Sequence, residues 1–351
     1  MGVEAISSSL LAEETNQARP DLSVFHRDWW LNVARSFPGY REVNVVRGGQ
    51  TQGRLPFVLW RNRVGLTFGQ DPYWAHLGGP VVREELSAPE QASVIRSLIG
   101  QLPRRTSFTF ICDPTVCYSG LVRRAFIDAG FEHSSQLTYV RLPEDGDVLS
   151  EKSRKHRGHI KRAAKSLNCV DVNASEFVSF FEANLSARGK RSYAPLNMLP
   201  QLIEQAISRG CGRAIAAVPI GNGDAGTSAL YDAAIVYIWD DRRCYYWLST
   251  HRVPTGLEGG RKPHPDAVKL LLVNAMEHAQ SMGLVFDADG VVTPGADHLY
   301  RTILGFRIEE RRDVFLRLSA LERIYQKSRS RLMQGRSDPG QAGLLVRAFG
   351  K

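Results

Sequence analysis

The order of apolar runs in the last third of the chain constrains the fold most. Residues 229–239 (ALYDAAIVYIW) form a near-continuous β-favouring run, residues 240–243 a polar turn, and residues 244–250 a second such run, so a hairpin is predicted. A long loop carrying Gly256, Gly259 and Gly260 follows. Pro265 and Asp266 then open a helix, because the first turn has no use for the proline's missing N–H and an acid there meets the positive end of the helix dipole. Val268, Leu271, Leu272, Ala275, Met276 and Ala279 share one stripe, which predicts a helix lying against a sheet, ended by Gly283. Residues 284–287 read as a short strand running into Asp289, Gly290 and a Pro/Gly loop, residues 296–304 as a second helix, and residues 307–318 as a closing strand. Strand, helix and strand with a right-handed crossover make a parallel pair, and the helix start after its loop points backbone donors outward, as an anion site requires.

The first half repeats this order. Residues 25–35 read as a helix with aromatic anchors, residues 42–46 and 54–60 as strands, and residues 65–69 as a continuation of the sheet. A Gly78-Gly79-Pro80 loop leads to a helix over 89–102 with Val94, Ile95, Leu98 and Ile99 on one face, a strand over 107–112, a helix over 119–129 and a last strand over 131–142. Ala129-Gly130-Phe131 echoes Leu304-Gly305-Phe306, and Tyr139-Val140-Arg141-Leu142 echoes Phe315-Leu316-Arg317-Leu318, so a duplicated module is predicted. The Pro/Gly/Asp-rich residues 143–150 join the copies. The second copy adds helices over 177–188 and 197–209, a first strand over 214–218 and a turn over 221–226. The expected organisation is a flexible N-terminus, disordered or loosely docked (1–20), a first domain (21–145), a second domain opening with a basic helix (146–320), and a basic helix (320–333) with a mobile tail to residue 351.

Composition narrows the class. The 351 residues suffice for two cores. No run approaches the roughly 20 apolar residues of a spanning helix, and residues 1–20 lack the basic start and apolar core of a secretory signal. The five cysteines (Cys112, Cys117, Cys169, Cys211, Cys244) are scattered without C-x-x-C spacing, which fits a reducing compartment and neither a zinc site nor a disulfide framework; a cytoplasmic protein without metal is predicted. The formal charge of +9 is concentrated, since residues 151–165 hold seven Lys/Arg against one acid. Residues 150–167 read as a basic helix with Ser150 as N-cap, interrupted by Gly158. Its Lys152, Arg154, Lys155, Arg157, Lys161 and Arg162 either contact phosphates of a donor, a nucleotide-linked acceptor or tRNA, or form a solvated face. The absence of G-x-S-x-G, H-E-x-x-H and Walker motifs argues against hydrolase, zinc-protease and P-loop readings.

The element order resembles the GNAT acyltransferase fold. Leu299-Tyr300-Arg301-Thr302-Ile303-Leu304-Gly305-Phe306 is similar to the aromatic-Lys-x-x-x-Gly signature of the tandem-GNAT branch, with Arg301 in the lysine's place. That branch includes the Fem-type peptidoglycan aminoacyl transferases and cytosolic acetyltransferase-like proteins often found near polysaccharide genes. The resemblance spans residues 25–318 and implies an α/β (α+β) fold of two tandem GNAT-like domains, each a mixed twisted sheet flanked by helices. It further implies an N- or O-acyltransferase using acyl-CoA, acetyl-CoA first, on an amine or hydroxyl of a small, sugar or cell-envelope acceptor. An aminoacyl-tRNA-dependent transferase acting on a cell-wall precursor and a non-catalytic phosphate- or nucleic-acid-binding protein are the alternatives. In the family a loop and helix start hold the pyrophosphate of coenzyme A. Here Arg261-Lys262-Pro263-His264-Pro265 stands in that place, and its prolines remove two donors. Either Arg261 and Lys262 replace the lost amides with charge, or the donor is not a coenzyme A thioester. The first copy has Arg123-Arg124-Ala125-Phe126 instead of the signature and is expected to shape the acceptor site.

Acyl transfer needs a base near the nucleophile, charge near the developing oxyanion and a proton for the leaving group. On the resemblance, Arg301 stabilises transition-state charge and Tyr300 stacks or donates a proton; the alternative makes Tyr300 core and Arg301 a surface charge. Asp287 and Asp289 follow a strand at the end where parallel sheets meet ligands, so either is a candidate base or both cap the loop. Ser249 and His251 end the hairpin strand beside the same cleft, and a histidine titrates near working pH. Arg261, Lys262, Lys155 and Arg157 complete a donor-phosphate set, with His156 and His159 as contacts among like charges. Trp30 and Trp74 are core anchors or an acceptor wall. Arg301→Ala is expected to abolish turnover and leave the circular dichroism spectrum unchanged; unaltered activity would remove the assignment.

Overall fold

The computed structural model describes residues 22–113, 115–150, 152–221, 231–254, 262–290 and 293–326. The expected N-terminus, Gly256, Gly259, Gly260 and Arg261, most of the 221–226 turn and the tail beyond residue 326 lie outside the described residues. The first half begins with a 3-10 turn, Val24–His26, and α1 (Asp28–Arg35). β1 (Tyr40–Arg47), β2 (Gln50–Arg61), β3 (Thr67–Gln70), β4 (Val81–Val82), α2 (Ala88–Gly100), β5 (Ser107–Cys112), α3 (Ser119–Asp128) and β6 (Glu132–Arg141) follow. A reciprocal Ser87/Glu90 capping box starts α2, and its predicted stripe Val94, Ile95, Leu98 and Ile99 is buried.

The second half contains α4 (Arg154–Ser166), β7 (Leu167–Asp171), α5 (Ala174–Ala187), α6 (Leu199–Ser208), β8 (Gly212–Pro219), β9 (Ala233–Trp239) and β10 (Arg243–His251). It continues with α7 (Ala267–Ser281), β11 (Val285–Asp287), a short helical segment Pro294–Asp297, a π-helical turn His298–Ile303 and β12 (Ile308–Arg317). Three local expectations are corrected. Ser153, not Ser150, caps α4 by accepting the His156 amide at 3.3 Å, while the Ser150 hydroxyl donates to the Asp147 carbonyl. α4 runs through Gly158 without a break, because burial of Ile160 and Ala163 outweighs the roughly 1 kcal/mol a helical glycine costs. α7 begins two residues later than read, at Ala267, with Asp266 at its N-cap.

The main path of the sheet runs β1-β2-β3-β5-β12-β6-β11-β10-β9-β8-β7, with β4 paired to β2 off it. Each half holds one parallel pair, β3 with β5 and β10 with β11, as the crossover reading requires. The closing strands are exchanged: β12 lies between β5 and β6, and β6 between β12 and β11. The two pair antiparallel from Ile308↔Val140 to Leu316↔Glu132, so the halves share one continuous sheet. Phe315 is fully buried in the first-half core, stacked on Phe126 at 4.4 Å. Tyr139 of β6 sits reciprocally in the second-half core, 6.4 Å from Tyr300 and 6.5 Å from Phe306. Gly130 and Gly305 adopt φ of 79° and 72°, which lets each half turn sharply from its last helical turn into the exchanged strand. The two sequence echoes thus mark the exchange itself.

Phe315→Ala is expected to destabilise the chain by about 3–5 kcal/mol in urea unfolding. The exchanged strands also predict one calorimetric transition for both halves; two separable transitions would contradict that coupling.

Candidate functional site

The two parallel pairs sit in equivalent places and end differently. β3 and β5 pair from Phe68↔Ser107 to Gln70↔Thr109. Beyond them Asp71 Oδ2 accepts the Ile111 amide at 2.8 Å, and the Gly78 amide donates to the Ile111 carbonyl at 2.7 Å. The loop after β3 therefore returns and takes the place a ligand would need. A Cβ on Gly78 would lie 1.7 Å from Asp71 Oδ1, so only glycine fits this closure. Burial pushes the Asp71 carboxyl up to about 7, against the opposing hydrogen bonds from the Ile111 and Gly79 amides.

β10 and β11 pair only from Arg243↔Val285 to Tyr245↔Asp287. β10 continues to His251, and among the described residues this stretch pairs with β9 alone. The chain after Asp287 leans the other way: the Ala288 amide donates to the Tyr139 carbonyl at 2.9 Å and the Gly290 amide to Thr138 Oγ1 at 3.0 Å. The strands part, and the far edge of residues 246–251 turns its peptide groups toward a slot. Ser249 and His251 are exposed there, while Tyr246 is half-buried, its hydroxyl pushed up to about 12 chiefly by burial. The His251 imidazole is held below its ordinary pKa by burial and then by Arg188, whose Nη2 donates to the His251 carbonyl at 2.6 Å. It is neutral at pH 7.

α7 starts beside this slot. Its N-cap Asp266 is buried and binds Lys269 Nζ at 2.5 Å and His159 Nδ1 at 3.2 Å, while its own amide donates to His264 Nδ1 at 3.1 Å. Burial works against the Asp266 charge, but the Lys269 hydrogen bond and the Lys269 and His159 charges hold the carboxyl below its usual range. A carboxylate thus occupies the positive end of the helix, so an anion here depends on side chains more than on backbone dipoles. Lys155 and Lys262 are exposed in this region, and burial followed by the charges of Lys155, Lys269, His159 and His298 lowers the His156 pKa. Arg157 is differently employed, since its Nη1 donates to the Ser150 and Lys152 carbonyls at 3.0 and 2.8 Å. Arg261 lies outside the described residues.

The signature motif lies on the π-helical turn, closed by Leu304 N to Leu299 O at 2.9 Å and Phe306 N to Tyr300 O at 3.0 Å. Wide turns of this kind often mark functional sites. This one places Tyr300 inward against Tyr139, Tyr246 and Phe306 and leaves Arg301 exposed. Burial, then the charges of Tyr246 and Asp287, hold the Tyr300 proton far above the usual phenol range. The Arg301 guanidinium bonds the Tyr139 hydroxyl, which itself donates to Asp297 Oδ1 at 2.7 Å.

Four candidates are placed in structural roles. Asp287 is buried and receives Thr138 Oγ1 at 2.6 Å, Arg312 Nη2 at 2.9 Å and Arg243 Nη1 at 3.4 Å. Asp289, with φ of 62°, receives Arg312 Nη1 at 2.6 Å, and His76 Nδ1 closes on its other oxygen. Both carboxylates are committed to these buried ion pairs, so neither is retained as the base. Trp30 and Trp74 are 0% and 1% exposed; Trp74 Nε1 donates to the Pro195 carbonyl at 3.0 Å and Trp30 meets Trp247 edge-on. Both are core, not an acceptor wall. Sequence reasoning missed Tyr246, Arg188, Arg243 and Arg312. The five consecutive charged residues 309–313 inside the closing strand were the signal available for the last. Among the described residues no group of three or more His, Cys, Asp or Glu is placed to hold a metal ion, and no helix is long and apolar enough to cross a membrane.

No family model matches the sequence, and neither does any curated protein. Solved structures do match in three dimensions. FemX aligns with a TM-score of 0.55 at 10% identity, over 86% of this chain and 94% of its own. A conserved protein of unknown function from Bacteroides thetaiotaomicron aligns at 0.50 and 10% identity, over 82% and 90%. A tandem GNAT protein from the clavulanic acid biosynthesis pathway aligns more loosely, at 0.44 and 13% identity over 82% and 88%. With the strand order above, the likeness to FemX shows a tandem GNAT-like fold for this chain.

The closed first slot generates a pH prediction. Asp71 binds its proton more tightly folded than unfolded, so its contribution falls as pH rises from about 4 towards 7. Asp71→Asn is expected to gain on the order of a few kcal/mol relative to the parent chain between those limits, read from urea unfolding at each pH. An identical pH profile for both chains would show that Asp71 is not buried as described.

Proposed function

We propose that this chain is an acyltransferase that holds an activated acyl donor in the slot where β10 and β11 part. The observation that carries this reading is the contrast between the two halves: one parallel pair is sealed by its own chain, the other leaves a strand edge open beside a helix start and a basic helix. An extended donor arm bearing amides adds to the edge of residues 246–251 as a further strand would. Its phosphate end meets the side chains of Lys155, Lys262 and Lys269, which stand in for backbone donors that Asp266 and two prolines take away. Its acyl end lies toward Tyr246, Tyr300 and His251.

In this reading the acceptor amine or hydroxyl attacks the acyl carbonyl and passes its proton to the neutral His251 imidazole. Tyr300, which keeps its proton at working pH, supplies one to the departing group as the tetrahedral intermediate collapses. Arg301 lends positive charge at the donor side. Arg188, Lys190 and Arg191 follow α5 near the end of β10 and favour an acceptor bearing phosphate or carboxylate, as sugar- and cell-envelope-type acceptors do.

Acyl-CoA is the first donor and aminoacyl-tRNA the second reading. The second is favoured by the Asp266 carboxylate at the α7 start, which opposes a pyrophosphate, and by the basic face of α4, which suits a longer polyanion.

Calorimetric titration with acetyl-CoA, coenzyme A and aminoacyl-tRNA separates them. Acetyl-CoA is expected to bind with salt-dependent affinity, weakened about tenfold by Lys155→Ala with Lys262→Ala. His251→Ala is expected to lower kcat by about 10²–10⁴ with donor binding kept. Binding of aminoacyl-tRNA alone selects the second reading, and binding of neither donor overturns both.

A further inference from the structure

The end of the sheet where β12 finishes is built differently from the rest of the surface. The helix that starts at Ala320 is described to residue 326. Glu322 fixes its rotation: its buried carboxylate accepts Ser107 Oγ at 2.6 Å, and its amide donates to Ser319 Oγ at 3.2 Å. With Glu322 turned inward, Leu321, Ile324 and Tyr325 point outward on one face, 60%, 62% and 43% exposed. Three large apolar groups at such spacing on an otherwise polar helix are not accounted for by packing among the described residues.

Strand registers bring further groups to the same end. Arg317 of β12 pairs with Phe108 and Ser107 of β5 with Phe68 of β3, so the 103–106 loop and the 62–66 turn emerge beside this helix. The 62–66 turn exposes Val64, flanked by the exposed Arg61 and Arg63, and the loop exposes Arg104 and Arg105. Arg317 ties the loop down through its bond to the Pro103 carbonyl at 2.8 Å. Arg323 is exposed on the helix itself, and the sequence continues with Lys327, Arg329 and Arg331. The exposed acid on the next strand is Glu132. Apolar tips ringed by arginines match neither solvent nor a purely polar partner. They match an interface that is greasy below and negatively charged at its surface.

We propose that this end of the molecule binds the surface of an anionic lipid bilayer, with Leu321, Ile324, Tyr325 and Val64 entering the headgroup region and Arg61, Arg63, Arg104, Arg105 and Arg323 meeting lipid phosphates. Binding is peripheral and needs both components, since a short apolar face or a basic patch alone holds a membrane weakly. The orientation follows from strand direction. β10 and β12 both run antiparallel to β6 or parallel to a strand that does, so their C-terminal ends point the same way. A docked molecule turns the mouth of the β10 slot toward the bilayer side.

The test is co-sedimentation of the full chain with phosphatidylcholine vesicles, with and without about 30% phosphatidylglycerol. Binding is expected only to the anionic vesicles and is expected to fall steeply at about 0.5 M salt. Leu321→Ser with Ile324→Ser and Tyr325→Ser is expected to weaken it about tenfold or more at low salt, and Arg104→Glu with Arg105→Glu to remove the preference for anionic lipid. Thermal unfolding of each variant verifies that the fold is kept, which the exposure of all five positions favours. Failure to bind anionic vesicles overturns the proposal. So does vesicle binding unchanged by the apolar triple variant, which would mark a general polyanion site, to be checked with duplex RNA. A monomer–dimer equilibrium abolished by the triple variant, with no vesicle binding, would assign the face to a second copy instead. None of these outcomes depends on the acyl-transfer reading.

Discussion

The antiparallel ladder between β6 and β12 is the interaction on which the architecture depends. Without β12 the first half would end at β5 with its edge peptide groups unpaired, and without β6 the second would end at β11. Open edges are costly and association-prone, and each half would also lose a core aromatic, Phe315 in one and Tyr139 in the other. The exchange supplies a paired edge and a core aromatic to each half at once. It also explains why one sheet runs through the whole chain although each half repeats the same order of elements.

Charge buried along that ladder has to be paired. Arg312 on β12 reaches Asp287 of the short strand β11 and Asp289 of the loop after it, and Arg243 bridges Asp287 to Glu310. Asp313, next along β12, takes a two-oxygen contact from Arg123 of α3 and a bond to His133 at 2.8 Å. Removing one partner from such a cluster strands the others in a poorly solvated place, so these groups specify the register of the exchange. These contacts occupy the aspartates, whereas His251 lies exposed at the end of β10.

The chain has two equivalent parallel pairs, and they end differently. In the first, Asp71, Gly78 and Gly79 fold the chain back into the gap, at the cost of burying a carboxyl. In the second, the chain after Asp287 follows β6, and among the described residues the end of β10 pairs on one edge alone. A basic helix and the α7 start lie on one side of that opening, and the short helix that follows β12 starts at the same end of the sheet.

Local order was legible in the sequence. Alternation, helical stripes, capping residues and the two glycine echoes located nearly every strand and helix, because those signals arise between residues a few positions apart; β7, five residues long with little alternation, gave none. The repeat of element order likewise announced two related halves, and the tandem GNAT-like fold agrees with it. Tertiary structure alone decided which half each closing strand completes, since β6 and β12 look the same in sequence whichever edge they join. It also decided that Asp287 and Asp289 face Arg312, that Trp30 and Trp74 lie in the core, and that Tyr300 turns in while Arg301 turns out. Those outcomes depend on contacts between residues far apart along the chain, and a linear pattern carries no record of which distant partner a charge or a strand edge will meet.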